Sequence, residues 1–216
     1  MTLALWNIDQ PAAGTARFAA ILTYLRELNS DHLVLTETNA ALRLPGYAVR
    51  LSLPSPFTNR SRNSRPPNRY HQVGVYSRAP LQRAAGVADI NGAYAAVASP
   101  IPLHLYGSVF TIKDRWASWS SLRYSDRVEE QCAIIRQLSG PRFIACGDFN
   151  FRGQGSYHRA GREQLAAVVS ELRLVWPTRD EVGTVQHLVH SPDVGVSRYE
   201  LVPTELSDHP LVLFDL

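Results

Sequence analysis

Apolar and polar positions along the chain change period repeatedly, and each change predicts an element. Leu3-Ala4-Leu5-Trp6-Asn7-Ile8 reads as a first strand. Phe18, Ile21, Leu22, Leu25 and Leu28 recur at three and four positions, which predicts an amphipathic helix over 15–28 with Gly14 and Thr15 as its start signals. His32 to Glu37 is a second strand ending on an acid, and Tyr47 to Leu51 is a short third. Gln72 to Ser77 is a strand stopped by Arg78-Ala79-Pro80. Ala93–Ser99 and Leu103–Phe110 are two more, with Pro100 and Pro102 marking the turn between them. Val128, Cys132, Ile135 and Leu138 keep helical spacing inside 118–138. Arg142 to Cys146 is a short apolar run, read as a buried strand that Gly147 ends. A helix over 161–172 precedes Trp176-Pro177, and 184–189, 197–202 and 211–216 are strand-like.

Strands and helices are interleaved, and several neighbouring strands are placed to pair as hairpins. The pattern favours an α/β fold of two mixed β-sheets packed face to face with helices outside, rather than one parallel sheet. No internal repeat or dividing linker interrupts it, so residues 1–216 are read as a single domain.

Composition narrows the function classes. The chain has 216 residues, 45% of them hydrophobic and 19% charged, an ordinary globular balance. No run reaches the roughly 20 apolar residues that a membrane span needs. Residues 1–7 carry no basic start or small-residue cleavage site, and the two cysteines, Cys132 and Cys146, have no metal or redox spacing, so a cytoplasmic location is expected. Cys146 is expected in the core. A net charge of +3 does not demand a nucleic-acid partner, but its distribution is uneven. Arg60, Arg62, Arg65 and Arg69 lie in one Ser/Pro/Asn-rich segment, read either as a solvated loop or as a basic arm beside a phosphate site.

The richest stretch for chemistry is Gly147-Asp148-Phe149-Asn150-Phe151. Residues i and i+2 of an extended segment share a side, so Asp148 and Asn150 are expected to leave the strand end together. A carboxylate and a carboxamide so placed suit phosphoryl chemistry, one taking a proton from water and the other holding a phosphate oxygen. The bland alternative is a turn in which both side chains cap their own backbone. Other polar groups stand at strand ends in the same way: Asn7 after the first, Glu37 after the second, and Ser207-Asp208-His209-Pro210 before the last.

Trp6-Asn7, Thr36-Glu37-Thr38, Gly74-Val75-Tyr76-Ser77-Arg78, Gly147-Asp148-Phe149-Asn150 and Ser207-Asp208-His209-Pro210, in this order, resemble the endonuclease/exonuclease/phosphatase superfamily of metal-dependent phosphoesterases. The resemblance spans nearly the whole chain. It implies a four-layer α/β sandwich with the site at one edge of the two sheets. It also implies a divalent-metal-dependent phosphodiester hydrolase, expected to be a nuclease, with Mg²⁺ (or Mn²⁺) as cofactor and nucleic acid as partner through phosphate contacts. No protein partner is evident.

The implied roles agree with the chemistry of the side chains. Glu37 is the first metal ligand, with Asn7 and Asp208 beside it, since Mg²⁺ keeps several waters and needs one or two carboxylates. Asp148 activates water, Asn150 holds it or a phosphate oxygen, and protonated His209 donates to the oxygen that gains charge. Arg62, Arg65, Arg69, Tyr106 and Lys113 are candidate substrate contacts.

Two positions depart from the family pattern. Val109 stands where many relatives carry a His or Tyr, with Tyr106, Lys113, Asp114 or Arg115 as possible substitutes. Gln186 stands where an Asp supports the catalytic His, and its neutral amide is expected to orient His209 without stabilising imidazolium by charge. The alternatives kept open are a phosphomonoesterase or inositol/lipid-headgroup phosphatase, and a weakly active or inactive member that binds nucleic acid or protein. Trp116 and Trp119, close to Lys113 and Arg115, are read as packing or base-stacking groups, and Tyr157-His158-Arg159 as cleft lining or a lead into the next helix. His187 and His190 are read as surface residues on opposite faces of a strand.

Overall fold

The computed structural model describes residues 1–55, 70–82, 87, 89–98, 102–110, 123–151 and 156–216, with the side chains of 156–158 excepted. The element order is β1 (Thr2–Asn7), α1 (Ala16–Leu28), β2 (His32–Asn39), β3 (Ala48–Leu51), β4 (Tyr70–Ser77), β5 (Leu81–Gln82), β6 (Gly92–Val97), β7 (Leu103–Val109), α2 (Tyr124–Leu138), β8 (Phe143–Asp148), α3 (Ser156–Glu171), β9 (Gln186–His190), β10 (Arg198–Val202) and β11 (Leu211–Asp215). One sheet has six strands in the order β10-β11-β1-β2-β4-β3, and the other has five in the order β5-β6-β7-β8-β9.

Period-2 alternation decides the layering. In β1, Leu3 and Leu5 face the opposite sheet, where they meet Leu105, Ile144, Cys146 and Leu188 in one buried cluster. Ala4 and Trp6 point the other way and pack under α1 against Phe18, Ile21 and Leu25. The second sheet repeats the device: Phe143 and Ala145 alternate with Ile144 and Cys146, and lie under Val128, Cys132 and Ile135 of α2 and Leu165 and Val168 of α3. Helix, sheet, sheet and helices therefore form four layers, as the resemblance implied.

Each sheet contains one parallel pair, β1–β2 and β7–β8, and the chain between the partners carries α1 and α2 respectively. A parallel pair leaves both carboxyl ends on the same edge. In α/β folds that edge is where ligands bind. Asn7, Glu37 and Asp148 all sit at or near such an end.

The helix start at Thr15 is as expected, because its hydroxyl accepts from the Phe18 N–H at 3.2 Å. Two expectations are corrected and one element was not foreseen. The strand does not stop at Gly147 but runs through it to Asp148. Gly147 is required by closeness, since a Cβ there would lie 1.7 Å from the Ser108 carbonyl oxygen on β7. The third helix begins five residues earlier than the apolar spacing indicated, at Ser156, and the two-residue β5 was not foreseen.

Candidate active site

Asn7 leaves β1 at the gap between the sheets and is 1% exposed. Its Nδ2 donates to Glu37 Oε1 at 3.3 Å and to Asp148 Oδ2 at 2.8 Å. One neutral amide thus holds two carboxylates, one from each sheet. The Asn7 carbonyl oxygens are also occupied: Oδ1 accepts from the Asp9 N–H at 2.9 Å, and the backbone oxygen accepts from Ser207 Oγ at 2.7 Å.

Asp148 is 3% exposed, and its burial is compensated by donors on both oxygens. Oδ2 takes the Asn7 amide, and Oδ1 takes the Asn150 backbone N–H at 3.1 Å. The expectation that Asn150 continues the extended strand is corrected: its φ is +56°, in the left-handed region, so the i, i+2 rule does not reach it. The turn reading of this motif applies to Asp148, whose carboxylate accepts from the backbone two residues on. The Asp148 carboxylate caps the Asn150 N–H, and Asn150 Nδ2 donates to the Phe110 carbonyl at 3.1 Å, tying the turn to the end of β7.

The 207–209 segment docks on β1 from the other side. Trp6 Nε1 donates to the His209 carbonyl at 3.0 Å, and the His209 N–H donates to Ser207 Oγ at 3.3 Å. The His209 ring is largely buried and its Nε2 lies 3.5 Å from Asp208 Oδ1, while the Asp208 carboxylate is 57% exposed. Six sequence-selected residues, Asn7, Glu37, Asp148, Asn150, Asp208 and His209, are therefore gathered around the end of β1.

Residues 4–209 match the Endonuclease/Exonuclease/phosphatase family. The chain belongs to that family. Solved structures agree on the fold. The endonuclease domain of TRAS1, a telomere-specific non-LTR retrotransposon, superposes with a TM-score of 0.68 at 14% identity, covering 100% of this chain and 97% of that one. An AP endonuclease from Archaeoglobus fulgidus gives 0.68 at 14% identity, covering 100% and 98%. A 3' phosphatase, NExo, from Neisseria bound to a product DNA hairpin gives 0.68 at 13% identity, covering 100% and 98%. No curated protein matches by sequence.

Within this Endonuclease/Exonuclease/phosphatase fold, the remaining candidates fall elsewhere. Tyr106 is corrected as a substrate contact. It is fully buried on the helix side of β7, where its hydroxyl donates to Gln131 Oε1 of α2 at 2.6 Å. Burial and the nearby Asp89 push the phenol well above its ordinary range. Arg60, Arg62, Arg65, Arg69, Lys113, Asp114, Arg115, Trp116, Trp119 and the side chains of Tyr157 and His158 lie outside the described residues. Cys146 is core, as expected, and burial raises its thiol strongly.

Val109 lies directly beside Asp148 in the parallel register and faces the inter-sheet core. Gln186 lies opposite Asp148 across β8–β9 and is fully buried. The expected bond to His209 is not formed: among the described residues, neither Oε1 nor Nε2 of Gln186 has a hydrogen-bond partner. His187 and His190 are corrected as surface residues, since both are buried. Desolvation lowers His187 to about 4, and its Nδ1 faces the Thr178 carbonyl at 3.0 Å.

Two contributors escaped the sequence reading. Gln10 Nε2 donates to Glu37 Oε2 at 3.2 Å. Arg17 on α1 reaches over the site loops, donating to the carbonyls of Ile8 at 2.8 Å, Asp9 at 3.1 Å and Leu206 at 2.8 Å. Both sit among polar loop residues or on a helix face where such side chains are ordinary, so nothing in the sequence set them apart.

The donor set indicates the kind of cation the site could take. Among the described residues, no three His, Cys, Asp or Glu side chains are grouped as a metal cage. A zinc site needs three or four such ligands. Glu37, flanked by the Asn7 and Gln10 amides, instead fits a hard cation that keeps much of its water.

Proposed function

We propose that this chain is a divalent-cation-dependent phosphodiester hydrolase acting on nucleic acid. The observation that carries the reading is the Asn7 amide joined to Glu37 Oε1 and Asp148 Oδ2 at once, which brings a cation-ligating and a proton-accepting carboxylate to one point. Glu37, with Asn7 beside it and Asp208 as a further candidate ligand, would hold the Mg²⁺ or Mn²⁺ ion, which when bound withdraws charge from a phosphate oxygen.

The chain's own groups do the rest. Asp148, held by the Asn7 amide and the Asn150 N–H, accepts a proton of the attacking water. Asn150 fixes that carboxylate through its backbone N–H. His209, oriented by Asp208 Oδ1 and by the two bonds on its backbone, donates to the non-bridging oxygen where charge develops. Nucleic acid is favoured over inositol or lipid phosphates by the cluster of Arg62, Arg65 and Arg69, whose forked guanidinium groups match phosphate oxygens. Endonuclease and DNA-bound relatives of the same fold support that preference.

The test is a panel of plasmid DNA, single-stranded DNA, RNA, a 3'-phosphorylated oligonucleotide and inositol phosphates, each with Mg²⁺ or Mn²⁺. Wild type is expected to cleave internal or terminal phosphodiesters, and Asp148→Ala to be inert. Equal inertness of both on every substrate would make the chain a binding module. Turnover of monoesters alone would make it a phosphatase.

A further inference from the structure

We propose that Gln10 is a positioning residue for Glu37, aiming its carboxylate at the divalent cation. The inference rests on the reading of Glu37 as a cation ligand and adds a residue that this reading did not require.

Gln10 grips Glu37 twice. Its backbone N–H donates to the Glu37 carbonyl at 2.8 Å, and its Nε2 donates to Glu37 Oε2 at 3.2 Å. Asn7 Nδ2 holds the other carboxylate oxygen, Oε1, at 3.3 Å. Each Glu37 oxygen therefore accepts from a carboxamide, one from either end of the same four-residue turn.

The backbone is shaped for this contact. Asp9, Gln10 and Glu37 have φ of +46°, +44° and +51°, in the left-handed region that non-glycine residues adopt at a cost. Such conformations persist where surrounding contacts over-determine them, and they concentrate at functional sites. Here the two strained segments are bonded to each other. Gln10 is only 7% exposed, so its side chain is committed to the site rather than to solvent.

The amide is the group this task needs. A glutamate turns about three side-chain bonds, and ordering them on binding a cation weakens that binding unless the order already exists. A lysine or arginine at position 10 would order Glu37 but cancel its charge and compete with the cation. A carboxylate would repel it. A neutral donor orients without doing either. Partners of this kind behind a ligand change metal affinity by about 10–100-fold when removed.

The experiment is calorimetric titration of Mn²⁺ into the substrate-free wild type, Gln10→Leu and Glu37→Gln, with thermal unfolding in EDTA alongside. Gln10→Leu is expected to unfold at the wild-type temperature in EDTA and to bind Mn²⁺ about 10-fold or more weakly. Its hydrolytic rate should recover as Mn²⁺ is raised, which a general loss of structure would not produce. Gln10→Asn, which tolerates the left-handed backbone but is too short to reach Oε2, should show the same weakening and serves if the leucine variant does not fold. Wild-type Mn²⁺ affinity in the Gln10 variants, with affinity lost in Glu37→Gln, overturns the role of Gln10 alone. Unchanged affinity in Glu37→Gln, or no binding by wild type, overturns the cation reading and this inference together.

Discussion

Asn7 and Asp148 lie 141 residues apart in sequence, yet the Nδ2 of one donates to Oδ2 of the other at 2.8 Å across the two sheets. The same nitrogen reaches Glu37, so one side chain decides the separation of two carboxylates. Asn7→Ala leaves both without their shared donor. Losing a hydrogen bond to a buried charged group costs about 2 kcal/mol, and displacing a reacting group by an ångström costs about 10²-fold in rate. The expected outcome is a loss of both sizes, read by urea unfolding in EDTA and by kcat/KM with Mg²⁺. A variant of wild-type rate would remove the bridge from the mechanism.

Gln186 stands opposite Asp148 with a fully buried amide that has no partner among the described residues. Burying an unpaired amide costs about 1–3 kcal/mol. Gln186→Met, of similar shape, is therefore expected to raise stability by about 1 kcal/mol. Gln186→Asp sets a second carboxylate against Asp148, and two buried acids resist ionising together. The acidic limb of its pH–rate profile should move up by about one unit. Superimposable limbs in wild type and Gln186→Asp would show that the two side chains do not interact.

His187 gives the fold a pH dependence with a definite sign. Burial holds it neutral down to about 4, against an ordinary value of 6.5. Between those values the unfolded chain binds a proton that the folded chain refuses, so stability rises with pH through this window and falls as pH drops. A shift of this size corresponds to about 3 kcal/mol once pH is below both values. His32 and His190, also lowered mainly by burial, act in the same direction. Chemical unfolding of wild type and His187→Phe from pH 7 to pH 4 should show the cost of the substitution shrinking as pH falls. Parallel curves would rule out the His187 contribution.

Gly147→Ala tests why the Asp148 motif begins with glycine. The added methyl would sit 1.7 Å from the Ser108 carbonyl oxygen, a backbone atom that cannot turn aside. Relief requires β7 and β8 to part beside Val109 and Asp148. The expected destabilisation is about 3 kcal/mol or more, with the residual folded protein inactive. A stable, active alanine variant would show that the β7–β8 approach is looser than described.

The strands and helices were readable in the sequence because local periodicity is set by what each face buries. Leu3 and Leu5 against Ala4 and Trp6, or Phe18, Ile21 and Leu25 around one helix stripe, need no long-range information. The polar ends Asn7, Glu37, Asp148 and Ser207-Asp208-His209 were visible for the same reason, as interruptions of apolar runs, and their order indicated the family. Alternation says that Leu105 and Tyr106 point to opposite faces, but it carries no sign. Only the packing of the second sheet shows that Tyr106 faces α2 and is lost to the site. Convergence likewise belongs to the tertiary structure. Which strand ends share an edge depends on the parallel pairing of β1 with β2 and of β7 with β8, on backbone turns at Gln10, Glu37 and Asn150, and on the Asn7 and Gln10 amides that reach carboxylates on other strands. Those are non-local hydrogen bonds between residues that no short window contains.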